Sequence, residues 1–189
     1  MAAPKLDRRW TYQDLLDLPD DGVRREIIDG ELHEMTGGSR SHQRTLINLV
    51  MLLEPFVSAL GHEVSIAPYD VLFKGADPVE PDLFVVRKDN PGHLGERGFE
   101  GTPDLVVEIL SVSTRGHDIV RKRDLYLRAG VPEYWLVDPD SRSIEVLTLR
   151  DAAYLVSFFA DEDEIASVQL AGLRISPAAV FAGVADPEE

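Results

Sequence analysis

The run Leu-Val-Val-Glu-Ile-Leu at residues 105–110 constrains this chain more than any other stretch. A nearly continuous apolar run of that length belongs to a strand covered on both faces, and so to a sheet inside the protein. Glu108 stands in the middle of it. An unpaired carboxylate in such a place is costly. Glu108 is therefore expected to be protonated, paired with a base or bound to a metal, unless it sits at a strand end that reaches water.

The other elements are arranged around that strand. Residues 11–18 read as a short helix capped by Thr11 and stopped by Pro19. An Asp29-Gly30 turn between two short apolar runs predicts a hairpin, and Gly37-Gly38-Ser39 then breaks the chain. Leu46, Val50, Leu53, Val57 and Leu60 mark one apolar face of a helix over residues 41–60. Pro55 predicts a kink or break in it. Strands are predicted over residues 64–73 and 81–86, and a loop over residues 90–103. A second helix is predicted over residues 117–129, ended by Gly130 and Pro132. Strands over 134–137 and 144–149 flank a turn at Asp138-Pro139-Asp140-Ser141. An acidic turn at residues 161–164, one or two short strands and a terminal helix near 177–182 complete the reading.

This order predicts an α/β (α+β) fold: a central mixed β-sheet flanked by helices, with an N-terminal hairpin and extra C-terminal strands. With 189 residues and neither an internal repeat nor a long linker, the expectation is one domain over residues 1–189. Its core is expected at about residues 10–180, with short flexible termini.

Asp82 and Lys122 break the local pattern as Glu108 does. Asp82 precedes an apolar strand and reads either as a strand-end aspartate or as a ligand. Pro103-Asp104 repeats the wording of Pro81-Asp82, so the dipeptide does not decide between them. On a helical wheel starting at Ile119, Leu125, Ala129, Tyr126, Ile119 and Leu127 fill one arc, and Lys122 falls between Ala129 and Tyr126. A lysine there points inward or snorkels along apolar surface. Two carboxylates on neighbouring strands can hold Mg²⁺ or Mn²⁺, which prefer oxygen ligands. A nearby lysine can orient a water or stabilise charge developing on phosphorus. Together these residues carry the equipment of metal-dependent phosphodiester hydrolysis.

A series of words supports a family resemblance: Ile27-Ile28-Asp29-Gly30-Glu31-Leu32, Ser41-His42, Pro81-Asp82-Leu83, and Pro103 through Ser111 around Glu108. Lys122, Tyr126 and Gly130-Val131-Pro132-Glu133-Tyr134-Trp135-Leu136-Val137-Asp138-Pro139 follow. In this order they resemble the Uma-type restriction endonucleases, long catalogued as a domain of unknown function within the PD-(D/E)XK nuclease superfamily. The resemblance covers roughly residues 10–180, and its last word is the most specific. It implies a restriction-endonuclease-like core with Asp82 as the first metal-binding acid and Glu108 as the second. Two positions after Glu108 the superfamily usually has a lysine, but here Leu110 stands there. In this family the lysine comes from the following helix, which points to Lys122. Glu31 and His42 match as possible accessory residues. Read on their own, Glu31 is equally an exposed acid on a hairpin strand, and His42 a helix-start histidine bonded to backbone. Tyr134 and Trp135 read as core strand residues.

The expected function is a Mg²⁺-dependent (or Mn²⁺-dependent) endonuclease acting on DNA. The alternative is a catalytically silent nuclease-fold module for binding or regulation, and an RNA or nucleotide substrate stays open. A homodimer is expected, because cutting both strands of a duplex needs two sites. The chain has no cysteine, which rules out a thiolate zinc site and fits a cytoplasmic location. No apolar run approaches the ~20 residues needed to span a bilayer, and the start has no apolar signal core.

The net charge of −15 argues against nucleic acid until its placement is considered. Residues 161–189 carry seven acids and one base, and residues 7–34 nine acids and four bases. Residues 115–128 carry five bases and two acids. Binding to DNA is thus expected to be weak and salt-sensitive.

Overall fold

The computed structural model describes residues 9–19, 21, 23, 25–28, 30–34, 39–75, 78–111 and 117–185. Asp29, the Gly37-Gly38 break, Arg115 and the chain termini lie outside the described residues.

Thr11 opens the first helix, Tyr12–Leu16 (α1), through a reciprocal cap with Asp14. Strands Arg25–Ile28 (β1) and Glu31–Glu34 (β2) form the expected hairpin. Gly30 has φ +77°, and a Cβ there would overlap the Arg9 side chain, so this turn needs glycine. Ser39 caps helix Arg40–Ala59 (α2) by accepting the His42 amide hydrogen at 3.1 Å.

The helix runs through Pro55 without the expected break. The carbonyl left without its donor belongs to Met51, on the exposed side of the helix, where water can satisfy it. The buried positions of α2 are His42, Thr45, Leu49, Leu53 and Val57. Leu46 and Val50 are only partly buried, so the packed face is turned slightly from the one read in the sequence.

The single strand expected over residues 64–73 is two strands, Glu63–Ile66 (β3) and Asp70–Leu72 (β4), which belong to different sheets. Pro68 lies between them and has no N–H to give to a ladder. Leu83–Val86 (β5) follows. The expected loop over residues 90–103 contains His93–Leu94 (β6) and Gly98–Glu100 (β7), which join β4 in a small sheet. Next come Leu105–Ile109 (β8) and helix His117–Ala129 (α3), which stops at Gly130 with φ +75°. Glu133–Asp138 (β9), Ser143–Arg150 (β10) and Ala153–Ala160 (β11) form a meander. Ile165–Ala166 (β12), Arg174–Ile175 (β13) and Pro177–Val180 (α4) end the described chain.

The main sheet has six strands in the order β11-β10-β9-β8-β5-β3. The sheet is mixed: α3 connects β8 to the parallel strand β9, while the neighbouring junctions are antiparallel. Each face carries a core. On one, Leu49, Leu53 and Val57 of α2 meet Leu83, Val85, Leu105, Val107, Trp135 and Val137. On the other, Leu125 and Tyr126 of α3 meet Phe84, Val106 and Tyr134, with Val71 and Phe99 from the small sheet beside them. Alternate residues of β8 therefore enter opposite cores, which is why its sequence is apolar throughout. Among the described residues, no helix is long and apolar enough to cross a membrane.

Candidate active site

The strand register brings the two acids together. Leu83 of β5 pairs with Val107 of β8 in an antiparallel ladder. One step further along that ladder, Asp82 falls opposite Glu108, on the α3 face. Both are buried, at 7% and 8% exposure. The Ile109 amide donates to Asp82 Oδ2 at 2.8 Å, which ties the start of β5 to the end of β8.

Each acid has its own partners. His42, in the first turn of α2, places Nε2 3.2 Å from Asp82 Oδ1. Burial alone would push the Asp82 carboxyl up. The hydrogen bond and charge of His42, the Ile109 amide and the Lys122 ammonium outweigh it and hold Asp82 below the usual carboxylate range. Lys122 is 5% exposed and reaches back from α3 to Glu108, with Nζ 3.2 Å from Oε1 and 3.3 Å from Oε2. Tyr126, one turn further along α3, donates its hydroxyl to Glu108 Oε1 at 2.5 Å. Lys122 and Tyr126 share a face because they are four residues apart.

Asp82, Glu108, Lys122 and His42 thus meet at one end of the β5–β8 junction. Glu31 is elsewhere: it is exposed and paired with Arg121 of α3 at 2.9 Å. His33 Nε2 lies 3.2 Å from the same Arg121 nitrogen. The hairpin therefore rests at the rim of the site, through the residue next to Lys122. His42 makes its contact with a carboxylate rather than with backbone.

On the helical wheel Tyr126 reads only as part of the apolar arc, and nothing in the sequence pairs its hydroxyl with Glu108; the fold does so because the two side chains meet between α3 and β8. Tyr134 and Trp135 are core residues, as read. Burial, and then the charge of Glu108, Tyr154 and Asp82, push the Tyr134 hydroxyl well above its ordinary pKa. That hydroxyl has no hydrogen-bond partner among the described residues.

The donor chemistry suits a hard cation. Asp82 and Glu108 present only oxygen, and Mg²⁺ typically takes one or two carboxylates and completes its shell with water and substrate phosphate. Among the described residues no group of three or more His, Asp and Glu side chains is placed to hold a metal. The pair is accordingly a partial shell rather than a closed cage.

The family model described as "Putative restriction endonuclease", Uma2, matches residues 12–178. The chain belongs to the Uma2 family. Every residue just placed at the site or its rim lies within the Uma2 match. Similarity to the uncharacterized protein sll1609 of Synechocystis sp. extends over 117 residues at 26% identity, 61% of this chain. The chain spans 66% of the length of that relative. Among solved structures, the fold is similar to a "putative nuclease belonging to DUF820" from Anabaena variabilis, with TM-score 0.78 and 19% identity. The likeness covers 93% of this chain and 99% of the other. This gives the Uma2 chain a nuclease-like fold of mixed sheet and flanking helices.

Proposed function

We propose that this protein is a Mg²⁺-dependent endonuclease that hydrolyses phosphodiester bonds in DNA. One observation carries the reading: two buried carboxylates face each other across adjacent strands, with a buried lysine on one of them. Membership of the Uma2 family supports it.

Asp82 and Glu108 would hold the ion. When bound, Mg²⁺ supplies Lewis-acid activation of water and of the phosphate oxygens. The protein's own residues do the rest. His42 and the Ile109 amide fix the rotamer of Asp82 and keep it ionised. Tyr126 fixes Glu108 from the helix side. Lys122 sets a positive charge beside the acids, where it orients the attacking water and stabilises charge developing on the phosphoryl oxygens.

The test is calorimetric titration of Mg²⁺ and Mn²⁺ into wild type and Glu108→Ala. Binding to the wild type that is lost in the variant is the expected result. No binding, or equal binding to both, overturns the metal assignment.

A second reading, a catalytically silent nuclease-fold module, has one observation in its favour. Lys122 and Tyr126 already occupy the Glu108 carboxylate, and His42 and Ile109 that of Asp82, so protein groups alone satisfy both acids. Cleavage assays on single-stranded, duplex and branched DNA, and on RNA, separate the two. Activity in wild type that disappears in Lys122→Ala is the endonuclease outcome.

A further inference from the structure

The end of the sheet opposite β3 is formed by β11, and its sequence is unusual for an edge. Residues 153–160 read Ala-Tyr-Leu-Val-Ser-Phe-Phe-Ala, with neither a charge nor a proline. Leu155 and Phe158 are 63% and 64% exposed, and Val156 is 40% exposed. Edge strands that stay unpaired are normally short, charged, bulged or covered. This one is long and regular over its full pairing with β10.

Hydrogen-bond bookkeeping shows which backbone groups point outward. Asp151 and Ala152, both at positive φ, form a two-residue turn between β10 and β11. Arg150 and Ala153 are then a hydrogen-bonded pair, and such pairs alternate along the ladder. Residues 153, 155, 157 and 159 bond inward to β10, which leaves the backbone groups of Tyr154, Val156 and Phe158 on the open edge. The next outward amide, that of Ala160, donates to Asp163 Oδ2 at 3.0 Å. Just beyond it, the Asp161 carbonyl accepts the Ala178 amide of α4 at 2.8 Å. The open edge therefore ends before Ala160.

We propose that this edge is the seat of a homodimer, in which a second copy adds its own β11 antiparallel to the first. The outward groups fix the register. Val156 faces Val156 of the other copy on the two-fold axis, and Tyr154 faces Phe158 on either side, with about six main-chain hydrogen bonds. The Tyr154–Phe158 pairs are aromatic cross-strand pairs, a favourable combination. Self-complementarity singles out a second copy as the occupant: the outward groups are symmetric about Val156, so the strand is its own antiparallel complement. The edge between Tyr154 and Phe158 is uncharged, whereas one corner carries Arg150 and Asp151 and the other the acids at residues 161–164. The pairing is therefore confined to the uncharged residues between the corners. Elsewhere the net charge of −15 keeps two copies apart.

The two-fold axis runs through the sheet at Val156, so the two α3 faces begin on the same side of the joined sheet, and a twist of about 20–25° per strand turns them apart over the seven strand steps between the two Glu108 positions.

The deciding measurements need neither metal nor nucleic acid. Light scattering of the full chain is expected to give twice 21.0 kDa. Val156→Lys, which sets two ammonium groups against each other on the axis, is expected to give the single mass. Amide exchange in the wild type supplies a readout that does not depend on any variant folding. The amides of Val156 and Phe158 should be protected at high protein concentration and exchange at least tenfold faster on dilution. Those of Leu155 and Ser157, bonded to β10, should not change. A wild type that is monomeric at about 100 μM, a dimer unmoved by Val156→Lys, or a Val156 amide indifferent to dilution overturns the proposal. A dimer without nuclease activity would leave this interface standing and remove only the catalytic reading.

Discussion

Glu108, Lys122 and Tyr126 form a buried, hydrogen-bonded trio around one ion pair, and such groups are worth most when intact. Lys122→Ala removes a buried counter-charge from beside the Glu108 carboxylate and is expected to cost about 3–5 kcal/mol in urea unfolding. Tyr126→Phe removes one hydrogen bond to a charged acceptor and should cost about 1–3 kcal/mol. The double variant Glu108→Gln/Lys122→Met should cost less than the sum of its single changes, because neither charge is left stranded. Additive losses would show that the two side chains do not act as a pair.

Asp82 makes a related prediction about acid. Its native pKa lies below the ordinary value, so its stabilisation is complete above about pH 4 and is lost as the pH falls through the native value. Asp82→Asn should flatten stability against pH in that acid window.

These residues were unequally legible. Glu108 announced itself by interrupting an apolar run, and Lys122 by its place on the helical wheel. Asp82 could not be told from Asp104 by wording. In the fold, Asp104 accepts the Arg87 amide at 2.8 Å and the Asn90 side chain at 2.7 Å, as turn aspartates do. Strand register separates the two acids, and register is a pairing between segments that no single segment displays.

At the scale of elements, Glu133 shows how a carboxylate can be structural. It is fully buried at the start of β9. One oxygen accepts the Trp135 indole N–H at 2.7 Å, and the other accepts the Val168 and Gln169 amides at 2.7 and 2.9 Å. The acid thereby clasps the loop before β13 to the central sheet. Glu133→Gln turns one acceptor into a donor facing another donor and should cost about 1–3 kcal/mol, with amide exchange rising first at Val168 and Gln169. If exchange stays unchanged there, the clasp is not what holds the loop.

Helices and inner strands were readable because periodicity follows burial. β11 was not, for the opposite reason. It is apolar on both faces while largely exposed, so no alternation of period two marks it. Its turn, Asp151-Ala152, also lacks the glycine that usually signals a hairpin. The small sheet β4-β7-β6 escaped notice because its strands are two or three residues long.

For the whole molecule the uneven charge is decisive. The basic residues Arg121, Lys122, Arg123 and Arg128 all lie on α3, which carries the lysine of the site, in a chain of net charge −15. Binding to duplex DNA should therefore rest on a few contacts against a repulsive background. With about three phosphate contacts, affinity should fall roughly 40-fold between about 50 and 200 mM salt. A fluorescence-anisotropy titration showing no salt dependence would remove α3 as the contact surface.

The parallel junction of β8 and β9 has a consequence for how the chain acquires its site. The β9-β10-β11 meander closes locally, on the microsecond scale typical of hairpins. Glu108 and Lys122 belong to the crossover between the halves, and the loop entropy of that crossover must be lost before its contacts form. A nascent or partly melted chain can hold its meander while its carboxylates and lysine are still apart and hydrated. The chemistry is thus coupled to completion of the fold: an intermediate that keeps most of its secondary structure would be inert toward phosphodiesters.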